Sequence, residues 1–277
     1  MSLTVLLLIL VNGIVSYKGF SNSDFFDRYR FEVDKILVNK DYKRLITSGF
    51  LHVSWTHLIF NMLSLYFFSA VENYLGSGPF LLIYFSGLAG GGGLSLLIHK
   101  NHGDYTSVGA SGAICGIIFA SIAVLPGFNI GFFGLPFSIP GWAYGLLFVL
   151  YSIYGIRSKK DNIGHEAHLG GALIGMFVAL LMRPSAFAQN YFAILIVSVP
   201  VIIFIFLIIR SPGFLLVDNF FFNNHPENYT IDQKYNIQKT VRQIEIDRIL
   251  DKIHKHGMAS LTKKEKDLLN EYSRKVK

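Results

Sequence analysis

The chain has 277 residues, 52% hydrophobic and only 16% charged, with a mean hydropathy of +0.43. A soluble domain carries roughly 25% charged residues, so this composition argues against one, and apolar runs this long argue against the alternating strands of a membrane barrel. The formal charge of +7 lies in polar segments, where basic side chains beside apolar runs meet anionic lipid rather than nucleic acid, and the single cysteine, Cys115, allows no intrachain disulfide.

Seven apolar runs approach the ~20 residues that a bilayer requires of a helix: 2–17, 56–75, 80–98, 108–125, 141–156, 164–182 and 190–210. No Lys or Arg precedes the apolar core of the first, so it reads as an uncleaved span rather than a signal peptide. Segment 18–55 is densely charged yet carries Phe20, Phe25, Phe26, Phe31, Phe50 and Trp55, the mixture of a structured loop lying at the membrane interface. The second run holds His57 and Asn61, four residues apart and therefore on one helix face. Glu72, near its far end, reads as structural, capping or pairing with backbone groups. In the third run, Gly90 to Gly93 suit close helix packing. The fourth opens with Gly109-Ala110-Ser111-Gly112, and the sixth holds His165 and His168.

The tail 211–277 reads as a separate soluble domain after a membrane domain of residues 1–210. VRQIEIDRILDKIHKHG is amphipathic, with Val241, Ile244, Ile249 and Ile253 on one stripe and Gly257 as the helix stop. Thr262 and Glu265 form a capping box that opens a second helix, to about Arg274. Such a helical hairpin suits a structural role or the docking of a protein partner better than DNA binding.

Ionisable and amide side chains inside spans are costly and frequently functional. Successive spans alternate in direction, so the second, fourth and sixth run the same way. His57, Ser111 and His168 each lie near the start of one of these three, hence near the same membrane face. Gly112 and Gly116 form GxxxG on the fourth span, and Gly171 and Gly175 form it on the sixth, so these two backbones can approach closely. That approach would bring Ser111 within reach of His168, as a nucleophile and its base. Ser111 would also sit at a helix N-terminus, where free N–H groups favour an oxyanion, with His57 and Asn61 as further donors. Each residue has a plainer reading: Ser111 as packing glue, the histidines and Asn61 as interhelical hydrogen bonds. Zinc is disfavoured, because His57, His165 and His168 lack a carboxylate or fourth ligand; no metal or cofactor is expected. The conjunction on three parallel spans favours a hydrolase. A transporter would instead distribute ionisable residues across the whole membrane.

The segments RLITSGFLHVSWTHLIFNMLSLYFFSAVENYLG, GASGAICG and HEAHLGGALIG resemble the rhomboid family of intramembrane serine proteases, over residues 44–182. The resemblance implies an all-α polytopic membrane bundle with a six-helix core, to which this chain adds a seventh C-terminal span and the soluble hairpin. It implies a Ser-His dyad without a third acid, Ser111 as nucleophile and His168 as base. It also implies oxyanion donors at His57, Asn61 and the Ser111 N–H. Gly109 falls on the family's glycine ahead of the nucleophile, and Arg44 on the arginine of its Trp-Arg loop motif. Two positions depart: Lys43 replaces the tryptophan of that motif, and Cys115 replaces an aromatic residue four positions after the serine. The expected substrates are transmembrane proteins met in the lipid bilayer of a bacterial inner membrane, their helices locally unwound for cleavage. The alternative on this scaffold is a non-catalytic membrane-protein binder or chaperone.

Orientation divides the expectations. The family arrangement places the active-site face outside. Yet that face collects seven Lys or Arg in 18–55, three in 157–160 and 12 in the tail, against Arg183 alone in the opposite loops. The positive-inside rule favours the reverse orientation.

Overall fold

The computed structural model describes residues 2–125, 127–131, 138–158 and 163–210, together with scattered positions from 249 to 269. The chain divides into two compact units, Met1–Asp218 and Asn219–Lys277.

In the first unit, α1 (Leu3–Ser21) leads into an interfacial segment built of α2 (Ser23–Tyr29), β1 (Phe31–Glu32), α3 (Val33–Leu37), α4 (Arg44–Thr47) and a 3-10 turn at Ser48–Phe50. There follow α5 (Trp55–Phe67), α6 (Ala70–Leu75), α7 (Ser77–His99), β2 (Thr106–Ser107) and α8 (Ser111–Val124). The antiparallel pair β3 (Asn129–Gly131) and β4 (Ser138–Pro140) precedes α9 (Gly141–Ser158), α10 (His165–Met182) and α11 (Ser185–Arg210). The architecture is an all-α membrane bundle.

Each of the seven expected runs coincides with a helix, but they are not seven equal spans. Among the described residues, four helices, α1, α7, α10 and α11, are long and apolar enough to cross a membrane. The run 56–75 is not continuous. Phe68 leaves helical geometry (φ −92°, ψ 6°), and the Ser69 hydroxyl donates back to the Tyr66 carbonyl at 2.7 Å. At 13 residues, α5 spans roughly 20 Å, short of the ~30 Å hydrocarbon core. Glu72 lies beyond the break, buried. It accepts the Ser77 hydroxyl at 2.6 Å and the Ser2 hydroxyl, tying α6 to the starts of α7 and α1. Its partners are thus side-chain hydroxyls rather than the backbone groups expected.

The core of the bundle is a stack of α7, α8 and α10. Every residue from Gly112 to Val124 is buried, as expected of a helix apolar on all sides. A Cβ at Gly116 would stand 3.2 Å from the Gly171 carbonyl oxygen and 3.3 Å from the Gly87 Cα. A Cβ at Gly171 would collide with the Gly112 carbonyl, and one at Gly175 with Gly116. The two GxxxG faces therefore clasp each other. In α7, Gly90 and Gly91 pack on Gly170 and Ala167 of α10, and Gly92 faces Leu45. Gly93 meets nothing within 4 Å, so the packing expected of all four glycines holds for three.

The interfacial segment folds around a buried arginine. Arg44 donates to the Asp27 carbonyl at 2.9 Å, the Arg30 carbonyl at 2.7 Å and the Asp41 carboxylate at 3.0 Å. Burial opposes the Asp41 charge, but hydrogen bonds from Arg44 and Lys43 prevail and hold its carboxyl below the ordinary value. Lys43 contacts Asp41 at 3.3 Å. Elsewhere in the segment the Trp55 ring packs on Phe20 (5.0 Å) and Tyr17 (6.4 Å). β1 pairs with β2, Phe31 opposite Ser107 and Glu32 opposite Thr106, which fastens the segment to the loop ahead of α8.

α11 departs from helical geometry at Asn190 (φ −126°, ψ 22°), whose amide donates to the Ala123 carbonyl at the end of α8 at 2.9 Å. In the second unit, Gly257 has φ +73° and its N–H meets the Ile253 carbonyl at 2.8 Å. Thr262 N–H donates to the Glu265 carboxylate at 2.7 Å, and Glu265 N–H to the Thr262 hydroxyl at 3.3 Å, the reciprocal pair of a capping box. Lys252 joins the same carboxylate at 2.9 Å. Val241, Ile244 and Arg274 lie outside the described residues.

Candidate active site

Ser111 is the first residue of α8. The first bond of that helix runs from the Ile114 N–H to the Ala110 carbonyl at 3.0 Å, and Ala110 offers no side-chain cap. The N–H groups of the first turn therefore lack intrahelical acceptors and point out of the helix start, at the positive end of its dipole. His168 lies in the first turn of α10, its N–H on the Gly164 carbonyl at 3.1 Å. Because α8 and α10 are clasped by their glycines, the two side chains meet, with His168 Nε2 2.8 Å from Ser111 Oγ. With the ring proton on Nδ1, Nε2 accepts the serine hydroxyl.

His57 comes from the first turn of α5, where Ser54 caps its N–H at 3.1 Å. Its Nε2 edge faces Gly109. A Cβ on that glycine would lie 2.9 Å from His57 Nε2 and 3.9 Å from Ser111 Oγ. Gly109 also has φ +126°, a conformation open to glycine and strained for other residues. The absent side chain thus leaves room for the imidazole edge beside the serine. Gly109 N–H is held by the Ser48 carbonyl at 3.0 Å. Asn61 is buried and donates through Nδ2 to the His57 carbonyl one turn back, at 2.9 Å. That bond lies within α5 and does not reach Ser111.

The expected site residues separate into four places. Ser111, His168, His57 and Gly109 converge, with Asn61 one turn below His57. Gly112, Gly116, Gly171 and Gly175 form the helix clasp beneath them. Arg44 organises the interfacial segment, and Glu72 ties helix ends together elsewhere.

Several neighbours were not read from the sequence. With Cys115 in place of an aromatic ring, His168 is flanked instead by Phe148 of α9 (ring centroids 5.8 Å, planes at 35°) and edge-on by His165 (5.9 Å, 80°). His52, fully buried, packs against His57 at 4.8 Å. The Ser16 hydroxyl donates to the Phe50 carbonyl at 2.9 Å, so it accepts from His52 Nδ1 at 2.8 Å. Burial, aided by His57, drives His52 down to about 3, which keeps its ring neutral. Beside His168 on α10, Glu166 binds His99 and Tyr105. Apart from His165, three residues before His168 on α10, no motif spacing marks these partners, because they come from a loop and from helices distant in sequence. Among the described residues, no group of three or more metal-ligating side chains converges.

Comparison with known proteins covers both units. The rhomboid domain matches residues 39–185, and a family of unknown function, DUF6576, matches residues 229–275. The rhomboid protease GluP of Bacillus subtilis is 25% identical over 250 residues, 88% of this chain and 44% of that protein. The mitochondrial RHOMBOID-like protein 12 of Arabidopsis thaliana is 27% identical over 202 residues, 66% of this chain and 59% of that protein. The mitochondrial Rhomboid protein 1 of Saccharomyces cerevisiae is 30% identical over 156 residues, 53% of this chain and 45% of that protein. The chain thus spans about half the length of these relatives. With more than half of its residues matched by the rhomboid domain and four apolar helices long enough to cross a bilayer, this chain is an integral membrane protein of the rhomboid family.

Proposed function

We propose that the chain is an intramembrane serine endopeptidase that cleaves peptide bonds in or near transmembrane segments of membrane proteins. The observation that carries this reading is the 2.8 Å contact between His168 Nε2 and Ser111 Oγ at the start of α8.

The chemistry follows from that contact. His168 Nε2 takes the hydroxyl proton as Ser111 Oγ attacks the scissile carbonyl carbon. The resulting oxyanion faces the free N–H groups of the α8 N-terminus and the Nε2 edge of His57. Asn61 steadies the turn carrying His57 and keeps a second amide proton. The imidazolium returns its proton to the leaving amine, the C–N bond breaks, and an ester to Ser111 remains. Water, deprotonated by His168, attacks that ester; the acid leaves and Ser111 recovers its proton. No third acid is required of the pair. A substrate helix must unwind locally to expose its carbonyl, so residues that weaken helices favour cleavage. The bilayer in question is read as a bacterial inner membrane, and the hairpin after residue 210 as a dock for a protein partner.

The test uses the full chain in liposomes with a labelled single-span substrate. Wild type should cleave, and Ser111→Ala and His168→Ala should each lower the rate by on the order of 10³-fold or more. Cleavage that survives Ser111→Ala would remove the nucleophile assignment. Substrate binding without cleavage by any form would favour a non-catalytic binder or chaperone.

A further inference from the structure

Two elements deliver the reacting side chains, the loop after α7 and the N-terminus of α10. The Ser111–His168 contact is one bridge between them. A second bridge lies beside it. Glu166, the second residue of α10, is buried at 5% exposure. Its Oε1 accepts the Tyr105 hydroxyl and lies 3.1 Å from His99 Nε2. His99 is the last residue of α7, and Tyr105 stands six residues ahead of Ser111. The His99 and Tyr105 rings are stacked, with centroids 3.6 Å apart and planes at 7°.

A buried carboxylate is retained only where it is hydrogen-bonded or paired. Both of its side-chain partners come from the segment that leads to the serine. The carboxylate also suits its place at the start of α10, where the helix dipole favours an anion. Burial and the neighbouring carboxylate push the Tyr105 phenol well above its ordinary value, so it stays protonated and donates. The loop between is held at both ends. The Tyr105 carbonyl accepts the Val33 N–H at 3.2 Å, and Gly109 N–H is bound to the Ser48 carbonyl at 3.0 Å.

We propose that Glu166 is a positioning residue for the Ser111–His168 pair, locking the loop that delivers the serine to the helix that delivers the histidine through Tyr105 and His99. It is not a third acid behind the histidine. Two residues apart on a helix, Glu166 and His168 project about 200° from each other. The inference rests on the reading of Ser111 and His168 as nucleophile and base. Misplacement by 1 Å between reacting groups costs roughly 100-fold in rate, so a loosened bridge should appear in turnover before it appears in substrate affinity.

The experiment compares wild type, Tyr105→Phe, Glu166→Ala, Glu166→Gln and the Y105F/E166A double variant, all as full chains in liposomes. It reads kcat, KM and the rate at which a fluorophosphonate probe acylates Ser111. Tyr105→Phe and Glu166→Ala should each lower kcat and the labelling rate by about 10- to 100-fold, with KM within about 2-fold of wild type. The double variant should be no worse than the poorer single one, since both break one bridge. Glu166→Gln keeps an acceptor oxygen and should recover most of the loss. Tyr105→Phe preserves the ring stack on His99, so it carries the test if Glu166→Ala does not fold. Unchanged kcat in Tyr105→Phe, or additive losses in the double variant, would overturn the proposal while leaving the nucleophile assignment standing. A wild type inert to both probe and substrate would remove that assignment, and this inference with it.

Discussion

His168 shows how a local substitution is compensated from elsewhere in the fold. Position 115, one turn along α8 from Ser111, carries a buried cysteine with no ring to set the imidazole plane. Phe148 reaches the ring from α9, and Tyr144 stacks in turn on Phe148 at 6.1 Å. An aromatic contact is worth about 0.5–1.5 kcal/mol. If Phe148 orients the base, Phe148→Ala should reduce kcat by about 2- to 10-fold, the factor those energies represent. Phe148→Tyr should retain most of the activity, because the ring remains. Steady-state cleavage by the two variants checks this, and equal activity in Phe148→Ala would remove Phe148 from that role. Gly109 illustrates the opposite device, in which a missing side chain creates room. Its φ of +126° and the His57 edge beside it both exclude a Cβ.

At the scale of elements, the contact between reacting groups depends on the distance between α8 and α10. That distance is set by glycine, since the Gly112 carbonyl occupies the space a Cβ at Gly171 would need. Gly171→Ala should therefore force the helices apart, destabilise the fold by about 1–3 kcal/mol and slow acylation of Ser111. Gly93→Ala, on an open face of α7, should leave activity unchanged and gain up to about 1 kcal/mol from helix propensity. Thermal unfolding in detergent together with probe labelling separates the two. The clasp was legible in the sequence because GxxxG is a local pattern with a geometric meaning. So was the placement of Ser111 and His168 at like ends of their helices, which follows from span direction and residue count. The break after Phe67 was not legible, because no Gly or Pro marks it and the run stays apolar throughout. The Glu166–Tyr105–His99 cluster was hidden for another reason. Its members are separated by 61 and 67 residues, and only the path of the loop, fixed by the short β1–β2 pairing, brings them together.

At the scale of the molecule, the threading of the chain through the bilayer follows from its helix ends. Among the described residues, α11 is the most apolar of the helices long enough to cross a membrane, and it starts beside the C-terminal end of α8, where Asn190 binds the Ala123 carbonyl. Beyond the kink at Asn190, residues 191–210 extend roughly 30 Å at 1.5 Å each, enough to cross the ~30 Å of the hydrocarbon core. The far end, Arg210, should therefore emerge on the face that carries the loop before α5, opposite the β3–β4 turn. Cys115 is the only cysteine and is buried, so single cysteines can be introduced without removing it. In sealed vesicles, an impermeant thiol reagent should label Val53→Cys and Arg210→Cys from one side and Asn129→Cys from the other. Labelling of Arg210→Cys together with Asn129→Cys would mean that α11 turns back within the membrane. The same vesicles decide orientation. Labelling of Val53→Cys from the outside follows the arrangement implied by the rhomboid resemblance. Labelling from the cytoplasmic side follows the 25 basic residues, most of which lie in segments assigned to that face. In the first case, the ion pairs of Arg30, Lys43 and Arg44 with Asp27, Glu32 and Asp41 mark a folded basic segment that has crossed the bilayer against the usual bias.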